Sequence, residues 1–422
     1  MTPETAIQQA PAGDIASRFN DARTQSETLL AGLSAEDCAL QSMPDASPLK
    51  WHLAHTTWFF ETFVLCAHAK RYQPFNPAFR YLYNSYYNAI GEQFPRAQRG
   101  LMSRPGLDEV LAYRRHVNAA LALALEGGPL PVPALALVEL GVHHEQQHQE
   151  LMLTDFKHLL SLNPLAPAYR DGEWTGSSDA VTSGWTTFTG GLAAFGHCGA
   201  AFCFDNELPR HRQHVAPFHF ADRPVSNGEY RAFVADGGYR RPELWLSAGW
   251  DALRQQSWQA PLYWRECDGV WHEFTLRGLQ PLDDARPVTH VSQFEADAYA
   301  RWVGARLPTE FEWELAAANV PADGHFLESG ELHPRPSLQT SLAALFGDVW
   351  EWTQSAYAPY PGYKPAAGAV GEYNGKFMSN QYVLRGGSCA TPHSHIRATY
   401  RNFFPSSARW QFSGIRLARD AT

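Results

Sequence analysis

The segment His144-Glu145-Gln146-Gln147-His148 sets two imidazoles four residues apart. On a helix that spacing puts both rings on one face, about one turn apart, where two nitrogens can share a metal ion. Leu137, Gly141, His144, His148 and Leu151 fall on one heptad stripe, so the pattern predicts that the histidines face the inside of a helical bundle. Neutral imidazoles buried there need partners, because an unsatisfied buried polar group costs roughly 1–3 kcal/mol. A metal ion would satisfy both. The third ligand is expected from another helix, and His52 and His55 in Trp51-His52-Leu53-Ala54-His55 are the candidates, one to ligate while the other caps or packs. Nitrogen ligands alone suit iron, copper, nickel or zinc, so ligand type does not choose the metal. The string also matches the HExxH pattern of zinc metalloproteases, in which the glutamate is the general base. A protease would need a further ligand downstream, and the neighbourhood here is instead the polar run Gln146, Gln147, Gln149 and Glu150.

These residues require a scaffold of helices, and periodic stretches broken by Pro and Gly clusters run to about Leu162. Helices are expected at Asp14 to Leu33, from Ser47-Pro48 (as N-cap and first helical residue) through Leu65, near Leu107 to Leu125, and from Ala134 to Leu160. Four such helices fit an antiparallel bundle with connections of unequal length. After Asn163-Pro164 the texture changes to short aromatic strands, glycines and loops, with two clearer helices at Ser226 to Asp236 and Gln293 to Val303. The stretch Leu165 to Ser183, rich in Gly, Ser, Pro and Asp, is the expected boundary.

Composition limits the partners. With 43 acidic and 34 basic side chains in 422 residues the formal charge is -9, which disfavours a surface that tracks phosphates, so nucleic acid is not expected. Apolar segments are interrupted before the roughly 18 residues a membrane span needs, no targeting segment is visible at the start, and the expected location is cytoplasmic. Six dispersed cysteines without a CxxC pair form neither a disulfide framework nor a thiolate zinc site. The 18 His, 14 Trp and 17 Tyr point instead to a ligand or metal pocket.

Several segments together resemble the sulfoxide synthases of ergothioneine biosynthesis, non-haem iron enzymes that join a DinB-like bundle to a formylglycine-generating-enzyme-like domain. In the first half these are Trp51 to Thr56, the run His144 to Glu150, Asn84-Ser85-Tyr86-Tyr87-Asn88, and Phe94-Pro95-Arg96-Ala97-Gln98-Arg99-Gly100. In the second they are Pro224 to Tyr230, Arg306 to Glu314, Gly347-Asp348-Val349-Trp350-Glu351-Trp352 and Leu384 to Ser388. The resemblance implies an α+β protein: a DinB-like four-helix bundle over 1–165 carrying the metal, and a C-type-lectin-like, formylglycine-generating-enzyme-type domain over 184–422 expected to complete the substrate pocket. Formylglycine-generating enzymes carry a reactive cysteine pair after the Arg-Gly-Gly-Ser segment. Only Cys389 follows here, beside His393 and His395, so that chemistry is not expected.

The resemblance also implies site roles. It makes His55, His144 and His148 the ligands of ferrous iron, Fe(2+), and leaves His52 outside the ligand set. Oxygen would couple a thiol sulfur to the imidazole of N-alpha-trimethylhistidine (hercynine), giving a sulfoxide. Tyr86 and Tyr87 match a tyrosine pair of one branch, with Tyr87 favoured as proton donor. Arg96 and Arg99 match arginines that bind the thiol substrate's carboxylate, a task suited to the guanidinium fork. Gln147 is expected near the hercynine imidazole, Asn402 near its carboxylate or betaine end, and Phe404 and Trp410 beside the substrate. Cysteine is the expected donor. Selenoneine synthesis from a selenosugar, a DinB-type thiol transferase and a non-catalytic binding module are the competing readings, and the module leaves histidines, tyrosines and arginines without a common purpose.

Overall fold

The computed structural model describes residues 12–126, 130–172, 183–337 and 342–421. The chain divides into two units. The first comprises Met1–Leu159 with Gly199–Phe202 and Ala366–Tyr373, and the second Leu160–Cys198, Cys203–Pro365 and Asn374–Thr422. Of the boundary stretch Leu165 to Ser183, residues 173–182 lie outside the described residues.

The first unit is built on helices α1 (Ala12–Thr28), α2 (Leu49–Phe59), α3 (Leu107–Glu126) and α4 (Val132–Ser161). Helix α1 ends before the expected Leu33, and turns carry the chain to Gly32 in the left-handed region. Helix α2 opens one residue later than expected. Pro48 is extended and stands at the N-cap, while buried Ser47 bonds elsewhere: its N–H donates to Asp155 and its hydroxyl accepts from Arg99. All eleven residues of α2 are buried, and a π-helical turn, Phe60–Leu65, continues it. There Glu61 accepts from the Tyr72 and Tyr113 hydroxyls at 2.6 Å each.

Trp58, Phe59, Phe60, Val110, Val138 and Val142 are among the apolar side chains that close the bundle. Full burial of such a side chain contributes roughly 1.5–3 kcal/mol. Gly141 governs how closely the π-helical turn after α2 approaches α4. A Cβ there would stand 2.4 Å from the Phe60 ring, so the bare backbone of α4 receives the ring one turn before His144.

The second unit is loop-rich and mixed. Its strands are β1 (Trp185–Phe188), β2 (Gly191–Phe195), β3 (His211–Val215), β4 (Phe218–Ala221), β5 (Trp264–Cys267), β6 (Val270–Thr275), β7 (Gly278–Pro281), β8 (Trp350–Ala356), β9 (Gln381–Arg385), β10 (Asn402–Pro405), β11 (Ser413–Gly414) and β12 (Ala418–Asp420). They form sheets ordered β1-β4-β12, β2-β3, β5-β6-β7 and β10-β9-β8-β11. All pairs are antiparallel except β11 with β8. Both expected helices are present as α5 (Asn227–Ala235) and α7 (Gln293–Trp302), each opened by a Ser-x-x-Glu capping box. Two more helices, α6 (Ser247–Gln256) and α8 (Glu310–Ala317), were not expected from the pattern. The Thr309 and Glu312 capping box was the signal for α8.

Acidic side chains of the quoted motifs of this half are tied into buried pairs. Glu351 pairs with Arg416 and accepts from the Trp313 indole at 2.7 Å each, and Glu310 is held by Arg385 and Arg401. Buried charges persist only when paired in this way. All six cysteines are free, with Cys38 and Cys389 buried and Cys66 and Cys198 exposed.

Candidate metal centre

His55, on α2, and His144 and His148, on α4, offer ring nitrogens that all lie within 4.8 Å of one another. The His55 ring lies 4.9 Å from each of the other two, and His144 and His148 are 4.6 Å apart. Burial is the dominant influence on all three, holding His55 and His148 well below the ordinary imidazole range and His144 down to about 3. They are therefore neutral at neutral pH, the form that ligates a metal. His55 Nδ1–H donates to the Tyr83 carbonyl at 2.6 Å, which leaves Nε2 as a lone pair. That Nε2 and both nitrogens of His144 are buried without a hydrogen-bond partner. Buried, neutral imidazole nitrogens without hydrogen-bond partners, grouped this closely, are a donor set that fits a metal ion.

His55 is further held by its neighbours. Its ring stacks on Trp51 at 4.6 Å and on Trp58 at 5.6 Å. His52, the other candidate, points away from the trio's centre: its Nδ1 is 2.8 Å from His148 Nδ1 and its Nε2 is 3.1 Å from Asp155 Oδ2.

Glu145 is turned toward α1 and α3, where Arg23 and Ser26 lie at 2.7 Å and Arg114 at 3.0 Å. Burial opposes its ionisation, but Arg23 and Arg114 outweigh that and hold the carboxyl below its usual range. A carboxylate saturated by two buried guanidiniums cannot serve as the general base of an HExxH protease, so that reading is set aside.

Three phenols lie near one another, and one of them, Tyr373, touches the trio. Tyr87 is fully buried, against Trp58 and Phe63, and stacks on half-buried Tyr86 at 4.6 Å. Asn84 fixes the turn by accepting from the Tyr87 N–H and donating to its carbonyl. Burial first, and the nearby phenols of Tyr86 and Tyr373 next, keep Tyr87 protonated well above its ordinary pKa. The third phenol, Tyr373, escaped the sequence reading. Its ring stands edge-on to His144 at 5.6 Å and its hydroxyl donates to Gln147 Oε1. Preceding it, Glu372 accepts from the backbone N–H groups of Asn88 and Ala89, so one short segment is clamped to the tyrosine turn and brings Tyr373 to the histidines. Only the Gly-Glu-Tyr context at 371–373 marks it in sequence, a signal too weak to find it.

The two arginines differ. Arg96 is exposed and donates to the Asp45 carbonyl. Arg99 is 4% exposed, lies 3.4 Å over the Trp51 ring and donates to Ser47 Oγ. Burial, with Arg96 nearby, pushes Arg99 down to about 8, and the resonance of a guanidinium keeps it cationic at neutral pH. Its Nε is buried without a partner, and among the described residues it makes no ion pair. Asn402, Phe404 and Trp410 lie together in the second unit, on β10 and just beyond it, with the Phe404 and Trp410 rings edge-to-face at 5.7 Å.

Among the described residues no helix is long and apolar enough to cross a membrane. The sulfatase-modifying factor enzyme 1-like domain matches residues 179–341 and 335–421, and the DinB superfamily matches 18–152. The protein from Mycolicibacterium thermoresistibile named hercynine oxygenase is 32% identical, across 96% of this chain and 95% of that one. Its namesake from Mycobacterium tuberculosis is 33% identical across 94% and 97%. The formylglycine-generating enzyme of Streptomyces coelicolor is 28% identical, covering 57% of this chain and 90% of its own. Similarity to that enzyme stops at part of the chain, whereas similarity to the first two runs through both the histidine-bearing bundle and the strand-rich unit, and on that ground the chain belongs to the hercynine oxygenase family.

Proposed function

We propose that the protein catalyses the oxygen- and iron(II)-dependent joining of hercynine to a thiol, giving a sulfoxide in ergothioneine biosynthesis, with cysteine as the donor. One C–H and one S–H bond are lost and a C–S and an S–O bond form, while dioxygen places one atom in the sulfoxide and the other in water. The observation that carries this is the trio of buried, neutral imidazoles whose free nitrogens converge. Three such ligands suit ferrous iron and leave open positions, and iron bound there would supply oxygen activation beside both substrates.

The chain's own groups account for the rest. Arg99 is a buried cation awaiting an anion, and a thiol donor's carboxylate is that anion. A selenosugar has no carboxylate, which favours cysteine over it. Tyr87 holds a phenolic proton in a dry environment and can deliver it during coupling, and Tyr373, bonded to Gln147 beside His144, is the second phenol in reach of the same chemistry.

The test is product mass spectrometry with hercynine and a panel of donors, under air, on protein loaded with ferrous iron. The expected product is the hercynyl cysteine sulfoxide. Its absence with every donor would overturn the reading, and dominant turnover of a selenosugar would move the protein to selenoneine synthesis.

A further inference from the structure

His148 differs from the other two histidines in what holds its outer nitrogen. His55 donates to a backbone carbonyl, whose role as acceptor is unambiguous. His148 Nδ1 instead faces another imidazole nitrogen, His52 Nδ1, at 2.8 Å. Either could carry the proton. The next contact decides: His52 Nε2 lies 3.1 Å from Asp155 Oδ2. A carboxylate only accepts, so His52 Nε2 must carry the hydrogen. For His148 to present Nε2 as a lone pair its Nδ1 must carry the hydrogen, and His52 Nδ1 is then the acceptor in the contact between the rings. His148 Nε2 is left as the lone pair available to a metal. Asp155 is anchored in turn by the Ser47 N–H at 2.8 Å, and His52 and Asp155 are 2% and 4% exposed, so water does not compete for these bonds.

We propose that Asp155 and His52 form a two-imidazole relay that sets the tautomer of His148 and so makes it a competent metal ligand. This rests on the reading of His55, His144 and His148 as a metal site. Both are positioning residues, since neither offers a nitrogen or oxygen to the trio's centre. A carboxylate that orients a ligating histidine directly is a common arrangement, and its loss typically costs 10–100-fold in metal affinity. Here one extra ring is interposed, which lets a carboxylate placed two turns beyond His148 on α4 act through a residue of α2.

The test is the affinity of the full-length apoprotein for Co(II), measured by chelator competition, with thermal melting to confirm folding. His52→Leu removes the acceptor for His148 and is expected to weaken binding about 10–100-fold. His52→Asn keeps it, because the amide oxygen stands as many bonds from Cβ as imidazole Nδ1, and binding should stay within about threefold of wild type. Asp155→Leu should weaken binding about 10–100-fold alone, yet cost little more in the His52→Asn background, where the tautomer no longer depends on the carboxylate.

Unchanged affinity in His52→Leu, a tenfold loss in folded His52→Asn, or the full Asp155→Leu penalty persisting in the double variant would each overturn the relay. If either leucine variant fails to fold, His52→Asn still decides through its own affinity. Failure of the wild-type protein to bind Co(II), or full retention of it in His144→Ala, would instead overturn the metal site itself.

Discussion

Replacing Glu145 separates a structural carboxylate from a catalytic one. Its two oxygens take hydrogen bonds from Arg23, Arg114 and Ser26, and all four side chains are essentially sealed from water, Arg23 at 2% and Arg114 at 0% exposure. Among the described residues, Glu145→Ala would leave two guanidiniums in the bundle with only Glu27, at 3.2 Å from Arg114 and substantially exposed, as a carboxylate partner. Breaking a buried ion pair by removing one member costs about 3–5 kcal/mol, because the remaining charge cannot be rehydrated. For a unit of this size that lowers Tm by roughly 6–20 °C. Glu145→Gln, which retains one acceptor, is expected to lose less. Denaturant unfolding followed by circular dichroism measures the loss, and turnover per folded molecule with hercynine and cysteine measures chemistry. The expected pattern is a large stability deficit with turnover per folded molecule within a few-fold of wild type. Because the penalty comes from stranded charge, adding Arg23→Leu and Arg114→Leu to Glu145→Met should recover part of it, a non-additive result typical of groups that share one network. A variant of normal stability that had lost turnover would refute this account and return Glu145 to the role of proton-transfer base.

Arg99→Ala is expected to raise KM for cysteine about 10–100-fold, the worth of a charge-assisted hydrogen bond, while Arg96→Ala, at an exposed position, leaves it near wild type; equal effects in steady-state kinetics would count against the assignment. Tyr87→Phe keeps the ring and removes the proton, so mass spectrometry should show product shifting from the coupled sulfoxide toward a sulfinic acid. Unchanged coupling there, together with its loss in Tyr373→Phe, would transfer the proton to Tyr373. In the second unit His395 is held well below the ordinary imidazole range by burial and then by Arg397. The unfolded chain therefore binds the extra proton first, below about pH 6.5, and stability falls on acidification by up to about 1.4 kcal/mol per pH unit. His395→Asn should flatten the dependence of denaturation midpoints between pH 7 and 5.

What sequence alone decided was what local geometry controls. An i, i+4 pair such as His144 and His148 lies on one helix face whatever else the chain does, because the backbone period is fixed by its own hydrogen bonds. The Ser-x-x-Glu boxes that open α5 and α7 are local in the same way. Motif likeness extended this to the family and to both domain types. His52 and His55 show where local information ends. One turn apart on a fully buried helix, they are equivalent by periodicity, and only the Tyr83 carbonyl on one side and Asp155 on the other determine which ring turns a lone pair toward the trio. Glu145 reads in sequence as part of a catalytic string, yet Arg23 and Arg114, from two other helices, make it a structural anion. Tyr373 is the furthest case, 226 residues from the Gln147 it bonds. No periodicity spans that separation, and its place beside His144 is settled by a clamp, Glu372 on the Asn88 and Ala89 amides, that exists only once the chain has folded.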